Sequence, residues 1–221
     1  MPGVVNRPIR VAIDGPGGAG KTSVARAVAD ALGVECLDTG AMYRAVAAAV
    51  LRRGVDPAAG EAVAAVAREV VDRIEIAGSA ARLEGRDVSE EIRGTAVTES
   101  VSTVAANPAV RAVMVARQQA WAAARAGCVM EGRDITTVVL PEADVRVYLY
   151  ADAAVRARRR SGESGASEAA VQAALRERDH RDSTRAYAPL QLAEGVREID
   201  TTDRSVGEVV AEIMGMIESI P

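Results

Sequence analysis

The sequence predicts an α/β fold in which helices cover both faces of a doubly wound parallel sheet. Short apolar segments that suit buried strands alternate along the chain with longer segments of helical periodicity. A glycine-rich turn at residues 15–20 joins the first strand to the first helix. Because the 221-residue chain has no phenylalanine and one tryptophan, Ala, Val, Leu and Ile have to fill the interior, which favours close packing of helices on a parallel sheet.

The first half of the predicted order is strand, helix, strand and two helices. The strand IRVAID (9–14) is short, apolar and followed by glycines, and a helix at 20–32 places Val24, Val28 and Leu32 on one face before Gly33 ends it. The segment VECLD (34–38) is the second strand candidate. Helical patterns then cover about 41–53 and about 58–71, with Gly and Pro between them.

Residues 74–93 interrupt this order. The stretch IEIAGSAARLEGRDVSEEIR has short alternating segments separated by Gly and Ser, which predicts a small antiparallel sheet inserted into the fold. Helical periodicity returns at about residue 96, and Pro108 opens a further helix that runs to Arg125. Three apolar segments that suit buried strands follow, each with a turn or helical segment after it: CVMEG, VRVYLYA and VREIDT.

Composition and charge argue against several classes of protein. A net charge of −4 and a pI near 5.3 disfavour a general nucleic-acid binder, and no apolar run reaches the roughly 18 residues of a membrane span. The N-terminus lacks the pattern of a signal peptide, so we expect a cytoplasmic protein whose Cys36 and Cys128 are reduced, buried thiols. The single histidine, His180, excludes a His-rich metal site. No apolar stripe calls for a second subunit, which favours a monomer.

Residues 15–22, GPGGAGKT, match the pattern G-x-x-x-x-G-K-[ST] between a predicted strand and a predicted helix, the context that indicates a phosphate-binding P-loop. Glycines let the backbone amides turn towards a phosphate, and the helix N-terminus adds positive potential. The hydroxyl of Thr22 suits an Mg²⁺ ion that bridges the β- and γ-phosphates of a nucleotide. The loop predicts nucleotide binding and leaves the reaction open.

Lys21, in this loop, is the only lysine of the chain. The other residues among the 27 lysines and arginines are all arginines. A compact ammonium on a flexible stem can follow the oxygens of a transferring phosphoryl group, whereas a planar guanidinium fits a tight loop poorly. Arginine is therefore not an equivalent residue at this position, and Lys21 is predicted to act in catalysis.

Other arginines follow predicted strands, at the edge where sites of parallel sheets form. Arg44 follows the second strand within TGAMYR, and Arg133 follows the third within EGRD. Ser102 and Arg111 lie on or near helices after the insert. Such arginines can bind a second anionic group opposite the nucleotide, as phosphoryl transfer requires.

Residues 156–185 form a basic segment of an acidic protein, with eight arginines and five acids. The stretch RERDHRDSTRA (176–186) and the Gly- and Ser-rich patch at 161–168 predict a lid that closes over phosphates and excludes water. The alternative is a solvated charged helix with ion pairs four residues apart.

Together these motifs resemble the bacterial-type cytidylate kinases, over roughly residues 9–214. The resemblance implies transfer of the γ-phosphoryl group of ATP to CMP or dCMP with Mg²⁺. It implies a single P-loop kinase domain with a five-stranded core (about 9–57, 96–155 and 186–221), a nucleoside-monophosphate-binding insert (about 58–95) and a lid (about 156–185). The motifs that carry it are IDGPGGAGKTS, LDTGAMYRAVA, LEGRDVSEEIR, VSTVAANPAVR, EGRDITTVV, RERDHRDSTRAYAPL and IDTT.

The resemblance also implies three sets of site residues. The set expected to bind ATP is Gly15, Pro16, Gly17, Gly18, Ala19, Gly20, Lys21, Thr22 and Ser23, with Thr22 facing the metal. The set expected to bind CMP is Thr39, Arg44, Ser102, Arg111, Arg133, Asp134, Arg178, Asp182 and Arg185. The catalytic set is Lys21, Arg133, Arg178 and Arg185. Within the CMP set, Asp134 suits the amino group of cytosine, and Arg111 and Ser102 suit its acceptors.

The chain departs from the family pattern at Glu131, where Asp is usual, and at Thr136, where Gly is common. The stretch between Arg160 and Arg176 is also short for the family. Two alternatives stay open. A P-loop kinase for another small substrate would share the core and the lid, and substrate profiling separates the two. A nucleotide-binding switch would bind ATP without an acceptor site, which the arginines on three separate loops argue against.

Overall fold

The computed structural model describes residues 8–165 and 167–220. The chain has two compact units: the first comprises the described residues of Met1–Cys36 and Ala126–Pro221, and the second comprises Leu37–Arg125. Among the described helices, none combines the length and the apolar character of a membrane span.

The predicted alternation of strands and helices is present along the chain. The strands are β1 Arg10–Asp14, β2 Glu35–Asp38, β3 Ile74–Ala77, β4 Ala80–Leu83, β5 Arg86–Asp87, β6 Cys128–Gly132, β7 Val145–Tyr150 and β8 Arg197–Asp200. The helices are α1 Lys21–Leu32, α2 Thr39–Arg52, α3 Gly60–Val70, α4 Thr95–Ala106, α5 Pro108–Ala123, α6 Ala153–Ser164, α7 Glu168–Thr184 and α8 Val206–Glu218. A short π-helix, Ile135–Val139, follows β6.

The first unit is built on a five-stranded sheet in the order β2-β6-β1-β7-β8, in which β2 lies at the boundary with the second unit. The central strand β1 pairs in parallel with β6 and β7, so that Val11 lies opposite Val129 on one side and Val145 on the other. β8 pairs in parallel with β7. The predicted five-stranded α/β sheet is confirmed, and it places the carboxyl end of β1 between two neighbouring strands, where a site can form.

Small and β-branched side chains form the core of the first unit. Val11 and Ile13 of β1 are fully buried, and α1 packs Val24 and Val28 into the same cluster. Ile213 of α8 belongs to the same cluster of buried residues. Close packing of these side chains lets the core form without phenylalanine and holds β1 and α1, the two ends of the P-loop, at fixed positions.

The second unit contains the small antiparallel sheet, as residues 74–93 predict. Ile74 of β3 lies opposite Leu83 of β4, both of them buried, and β5 pairs antiparallel with β4. The remainder of this unit is mostly helical. The run AVAAAV of α2, residues 45–50, is buried throughout, because small side chains allow the neighbouring helices to approach it closely.

Two helices, α6 and α7, form most of the segment predicted as a lid, and they pack against each other. α6 is followed by Gly165, which has φ +71, a conformation that glycine adopts at little cost. α7 begins after Ser167, whose side chain accepts a hydrogen bond from the Ala170 amide at 3.4 Å. Ala166, in the patch predicted between them, lies outside the described residues.

Candidate active site

The P-loop, residues 15–22, runs from the end of β1 into the start of α1, and two of its glycines lie very close to neighbouring backbone. Gly15 has φ +147, and a Cβ atom there would lie 2.0 Å from the carbonyl oxygen of Leu149 in β7. Gly18 has φ +79, and a Cβ atom there would lie 2.9 Å from the carbonyl oxygen of Arg156 in α6. Only glycine fits at these two positions, which explains the residue type that the loop uses there.

Lys21 is the first residue of α1, and its side chain turns back over the loop. Its Nζ donates to the carbonyl oxygen of Pro16 at 2.9 Å, and the residue is only 6% exposed. Burial lowers the pKa of Lys21 to about 7; the positive charges of Arg133 and Arg178 also lower it, and the carboxylate of Glu131 raises it. A buried cation among arginines indicates a position that suits a strongly anionic group.

Thr22 and Glu131 form the second polar contact of the loop. The Thr22 hydroxyl donates to Oε1 of Glu131 at 2.5 Å, from the start of α1 to the end of β6. Glu131 is buried. Hydroxyl and carboxylate oxygens are the ligands that Mg²⁺ prefers in proteins, so these two side chains fit the predicted metal. The Glu131 side chain thus reaches the threonine of the P-loop directly.

Two carboxylates of the first unit, Asp182 in α7 and Asp134 after β6, lie close to arginines of the predicted CMP set. Arg133 Nε donates to Oδ2 of Asp182 at 3.1 Å, and Arg178 Nε lies 3.9 Å from the same oxygen. Arg185 Nη2 lies 3.7 Å from Oδ1 of Asp134. The first unit therefore brings together five residues of the predicted CMP set next to the P-loop lysine.

Carboxylates around Arg133 compensate for the burial of its guanidinium. Burial by itself lowers the pKa of its guanidinium, but the carboxylates of Asp182, Glu131 and Asp179 raise the pKa of Arg133 above its ordinary value. The guanidinium is therefore a permanent charge with a fixed direction, which suits stabilisation of charge on a phosphoryl group.

The turn that carries Arg133 and Asp134 is anchored by Asp14, the last residue of β1. Asp14 Oδ1 accepts from the Ile135 amide at 2.9 Å, and Oδ2 accepts from the Thr136 amide at 2.8 Å and the Thr136 hydroxyl at 2.7 Å. Burial raises the pKa of Asp14, although the hydrogen bonds from Thr136 and Ile135 lower it. The Thr136 hydroxyl thus adds one donor to this anchor.

Thr136→Val should lower the free energy of unfolding by about 1.5–3 kcal/mol, because valine keeps the shape but removes a charge-assisted hydrogen bond from a buried carboxylate. Denaturant unfolding measures the change. The matched control is Thr137→Val, since the Thr137 hydroxyl makes only a long 3.4 Å contact with a backbone carbonyl. Equal unfolding midpoints for the two variants would contradict the anchoring role.

In the second unit, the predicted CMP residues are placed on three helices: Thr39 and Arg44 on α2, Ser102 on α4 and Arg111 on α5. Arg44 Nη1 donates to the Ile92 carbonyl at 3.0 Å and to the Thr98 hydroxyl at 2.9 Å. Arg111 is 1% exposed, and its guanidinium carbon lies 5.7 Å from the centre of the Tyr43 ring. Arginine is rarely buried this deeply unless it binds a polar or anionic group.

Residues 11–219 match the protein family described as Cytidylate kinase. The chain belongs to the cytidylate kinase family. Among curated relatives, "Cytidylate kinase" of Mycobacterium leprae (strain Br4923) is 46% identical over 217 residues, which cover 95% of this chain and 96% of the relative. "Cytidylate kinase" of Rhodococcus opacus (strain B4) is 47% identical over 211 residues, 92% of each chain.

Solved structures agree with the fold of this cytidylate kinase family member. A gluconokinase from Sinorhizobium meliloti 1021 superposes with a TM-score of 0.50 at 14% identity, over 95% of this chain and 92% of the other. A sugar kinase from Janibacter sp. HTCC2649 superposes with a TM-score of 0.50 at 16% identity, over 97% of both chains. At these identities the likeness shows a kinase-type α/β fold and does not select a substrate.

Three residues that sequence analysis did not select also contribute to the candidate site of this cytidylate kinase family member. Asp14 anchors the EGRD turn, and its position directly before the P-loop was an available signal. Arg156 and Asp179 lie against the P-loop itself. Asp179 is one of the acids interspersed among the lid arginines, but the pattern does not distinguish it from Asp182.

Proposed function

We propose that the protein transfers the γ-phosphoryl group of ATP to CMP or dCMP and releases ADP with CDP or dCDP. The observation that carries the proposal is the match of residues 11–219 to the cytidylate kinase family. The buried Lys21 at a P-loop, with arginines around it, supports the chemistry, since phosphoryl transfer depends on positioning and on stabilisation of charge.

In this proposal residues 15–23 hold the phosphates of ATP through backbone amides and the N-terminus of α1. Lys21 follows the oxygens of the γ-phosphoryl group. Thr22 and Glu131 are the residues that would hold Mg²⁺. When bound with ATP, the ion neutralises charge on the β- and γ-phosphates.

The proposed CMP residues are Arg133, Asp134, Arg178, Asp182 and Arg185 in the first unit, and Thr39, Arg44, Ser102 and Arg111 in the second. Asp134 accepts a hydrogen bond from the amino group of cytosine, and Asp182 binds a sugar hydroxyl. Arg133, Arg178 and Arg185 neutralise the acceptor phosphate and the moving phosphoryl group. Their present pairing with Asp134 and Asp182 supports this role, because it keeps the guanidinium groups oriented.

The proposal also assigns a separate role to each of three segments of the chain. The core at about 9–57, 96–155 and 186–221 holds ATP, the insert at about 58–95 binds the nucleoside monophosphate, and the lid at about 156–185 excludes water.

We further propose that the protein acts as a monomer in the cytoplasm, alongside its nucleotide substrates. Static light scattering tests whether it is a monomer.

The deciding experiment measures ADP formation from ATP and Mg²⁺ with CMP, dCMP, UMP, AMP, GMP or dTMP, and without an acceptor. We expect CMP and dCMP to give the highest rates and the reaction without acceptor to be slow. A higher rate with another acceptor would favour a different small-molecule kinase. Equal rates with and without acceptors would favour an ATPase or a nucleotide-binding switch.

Glu131→Gln should raise the Mg²⁺ concentration for half-maximal activity by about 10-fold, because the amide loses the charge that attracts the ion. The measurement is a titration of Mg²⁺ at saturating ATP and CMP. Glu142→Gln is the matched control, since Glu142 is an exposed acid of the same unit. The same Mg²⁺ requirement in both variants would remove Glu131 from the metal site.

A further inference from the structure

The lid helix α7 touches the P-loop through two side chains. The carboxylate of Asp179 accepts from the Gly17 amide, with Oδ1 3.4 Å from the nitrogen. Leu175, one turn earlier in α7, also lies close to Gly17. A Cβ atom added to Gly17 would be 2.9 Å from Cδ2 of Leu175. An acidic side chain therefore lies on an amide of a loop whose amides suit phosphate.

The second oxygen of Asp179 is held by an arginine that is itself fixed on the loop. Arg156 Nη1 lies 2.5 Å from Asp179 Oδ2 and donates to the Gly17 carbonyl at 3.1 Å. Its Nε donates to the Ala151 carbonyl at 3.0 Å, and the residue is 9% exposed. Because Arg156 is anchored to the backbone on two sides, Asp179 occupies a preformed site with an amide and a guanidinium as donors.

α6 is tied to the P-loop independently of Asp179. Arg159 Nη2 donates to the Thr201 carbonyl at 2.6 Å, and the Thr201 hydroxyl donates to the Ala19 carbonyl at 3.1 Å. These contacts leave α6 and Arg156 in place whether or not Asp179 is there. The carboxylate of Asp179 is thus a charged link between α7 and the loop, and its loss would remove this link without removing Arg156.

The surroundings of Asp179 favour an anion. The Arg133 guanidinium interacts with its charge, as the raised pKa of Arg133 reflects. The Tyr148 phenol of β7 is also near, and burial together with the charge of Asp179 raises the pKa of Tyr148. A phosphate group and a carboxylate require the same donors here, and two anions cannot share the Gly17 amide and Arg156 without strong repulsion.

We propose that Asp179 is an internal competitor of the nucleotide phosphates. With the P-loop empty, its carboxylate accepts from the Gly17 amide and neutralises Arg156, which holds α7 against the loop. A nucleotide phosphate displaces the carboxylate and takes over both donors, so that ATP binding and movement of α7 are one event. The inference rests on the proposed use of ATP and concerns the nucleotide-free protein, before any acceptor binds.

Asp179→Asn is the test, because asparagine keeps the size and removes the charge. Isothermal titration with MgATP in the absence of CMP should give a Kd about 10-fold lower than wild type, since charge-assisted hydrogen bonds no longer have to be broken. The KM for ATP should fall in parallel, while kcat does not rise. Amide exchange of α7 in the nucleotide-free variant should be faster than in wild type.

Glu177→Gln is the matched control, an exposed acid of α7 that pairs only on the helix surface with Arg181. Asp179→Ala is a second variant that removes the charge, and it is used if the asparagine variant unfolds at a lower temperature than wild type. An unchanged or higher Kd in both Asp179 variants would overturn the proposal, because Asp179 would then support Arg156 in the nucleotide complex. These titrations use ATP alone, so they remain decisive if the acceptor proves not to be CMP.

Discussion

Lys21→Arg should lower kcat by about 100- to 1000-fold, the loss expected when a preorganised donor to the transition state is removed. The substitution conserves charge, so the expected loss comes from geometry. Lys21 Nζ reaches back to the Pro16 carbonyl at 2.9 Å from a buried position at the start of α1. A planar guanidinium with five donors is too wide for that position and cannot follow a moving phosphoryl group as an ammonium does.

The measurement is steady-state kinetics of ADP formation with saturating ATP and CMP, together with thermal unfolding to show that the fold persists. Lys21→Met should lose activity to a similar extent, although it also removes the charge. Arg181→Lys is the control, because it exchanges arginine and lysine at an exposed position of α7. If the Lys21→Arg variant kept a third or more of the wild-type kcat, the geometric argument for the single lysine would be wrong.

Local patterns were sufficient to predict the sheet and the loop. β1 and α1 are short-range features, because the apolar run 9–14 and the helical stripe of Val24 and Val28 each identify an element without reference to distant residues. The antiparallel insert is also predictable from a local pattern, because Gly78 and Gly85 occupy the turns between its short strands, with φ +56 and φ +78. The P-loop followed from eight consecutive residues.

Contacts between residues far apart in the chain were not predictable in the same way. Asp14 and Thr136 are separated by 122 positions, and Gly17 and Asp179 by 162. Each contact depends on how one element docks on another, and a periodic pattern records only that a face is buried. The acids among the arginines of the predicted lid are visible in the sequence, but only the docking of α7 shows which acid lies on the loop.

Asp134→Ala should lower kcat/KM for CMP by about 100-fold and leave the Kd of ATP within about 3-fold of wild type. Asp134 is buried at the end of β6 and lies 3.7 Å from Arg185, in a turn that Asp14 holds in place. The proposed partner of its carboxylate is the amino group of cytosine, whereas the proposed ATP site is formed by residues 15–23. Asp203→Ala, at an exposed acid of the same unit, is the control.

Asp134→Asn sharpens the test, because the expected effect differs between pyrimidines. Cytosine presents an amino donor at position 4, and uracil presents a carbonyl acceptor there. A carboxylate can only accept, so it pairs with the cytosine amino group but places an acceptor opposite the uracil carbonyl. An amide can instead turn its NH₂ group towards uracil. The ratio of kcat/KM for CMP to that for UMP should therefore fall by at least about 10-fold. Parallel losses with both substrates would mean that Asp134 supports the turn and does not select the base.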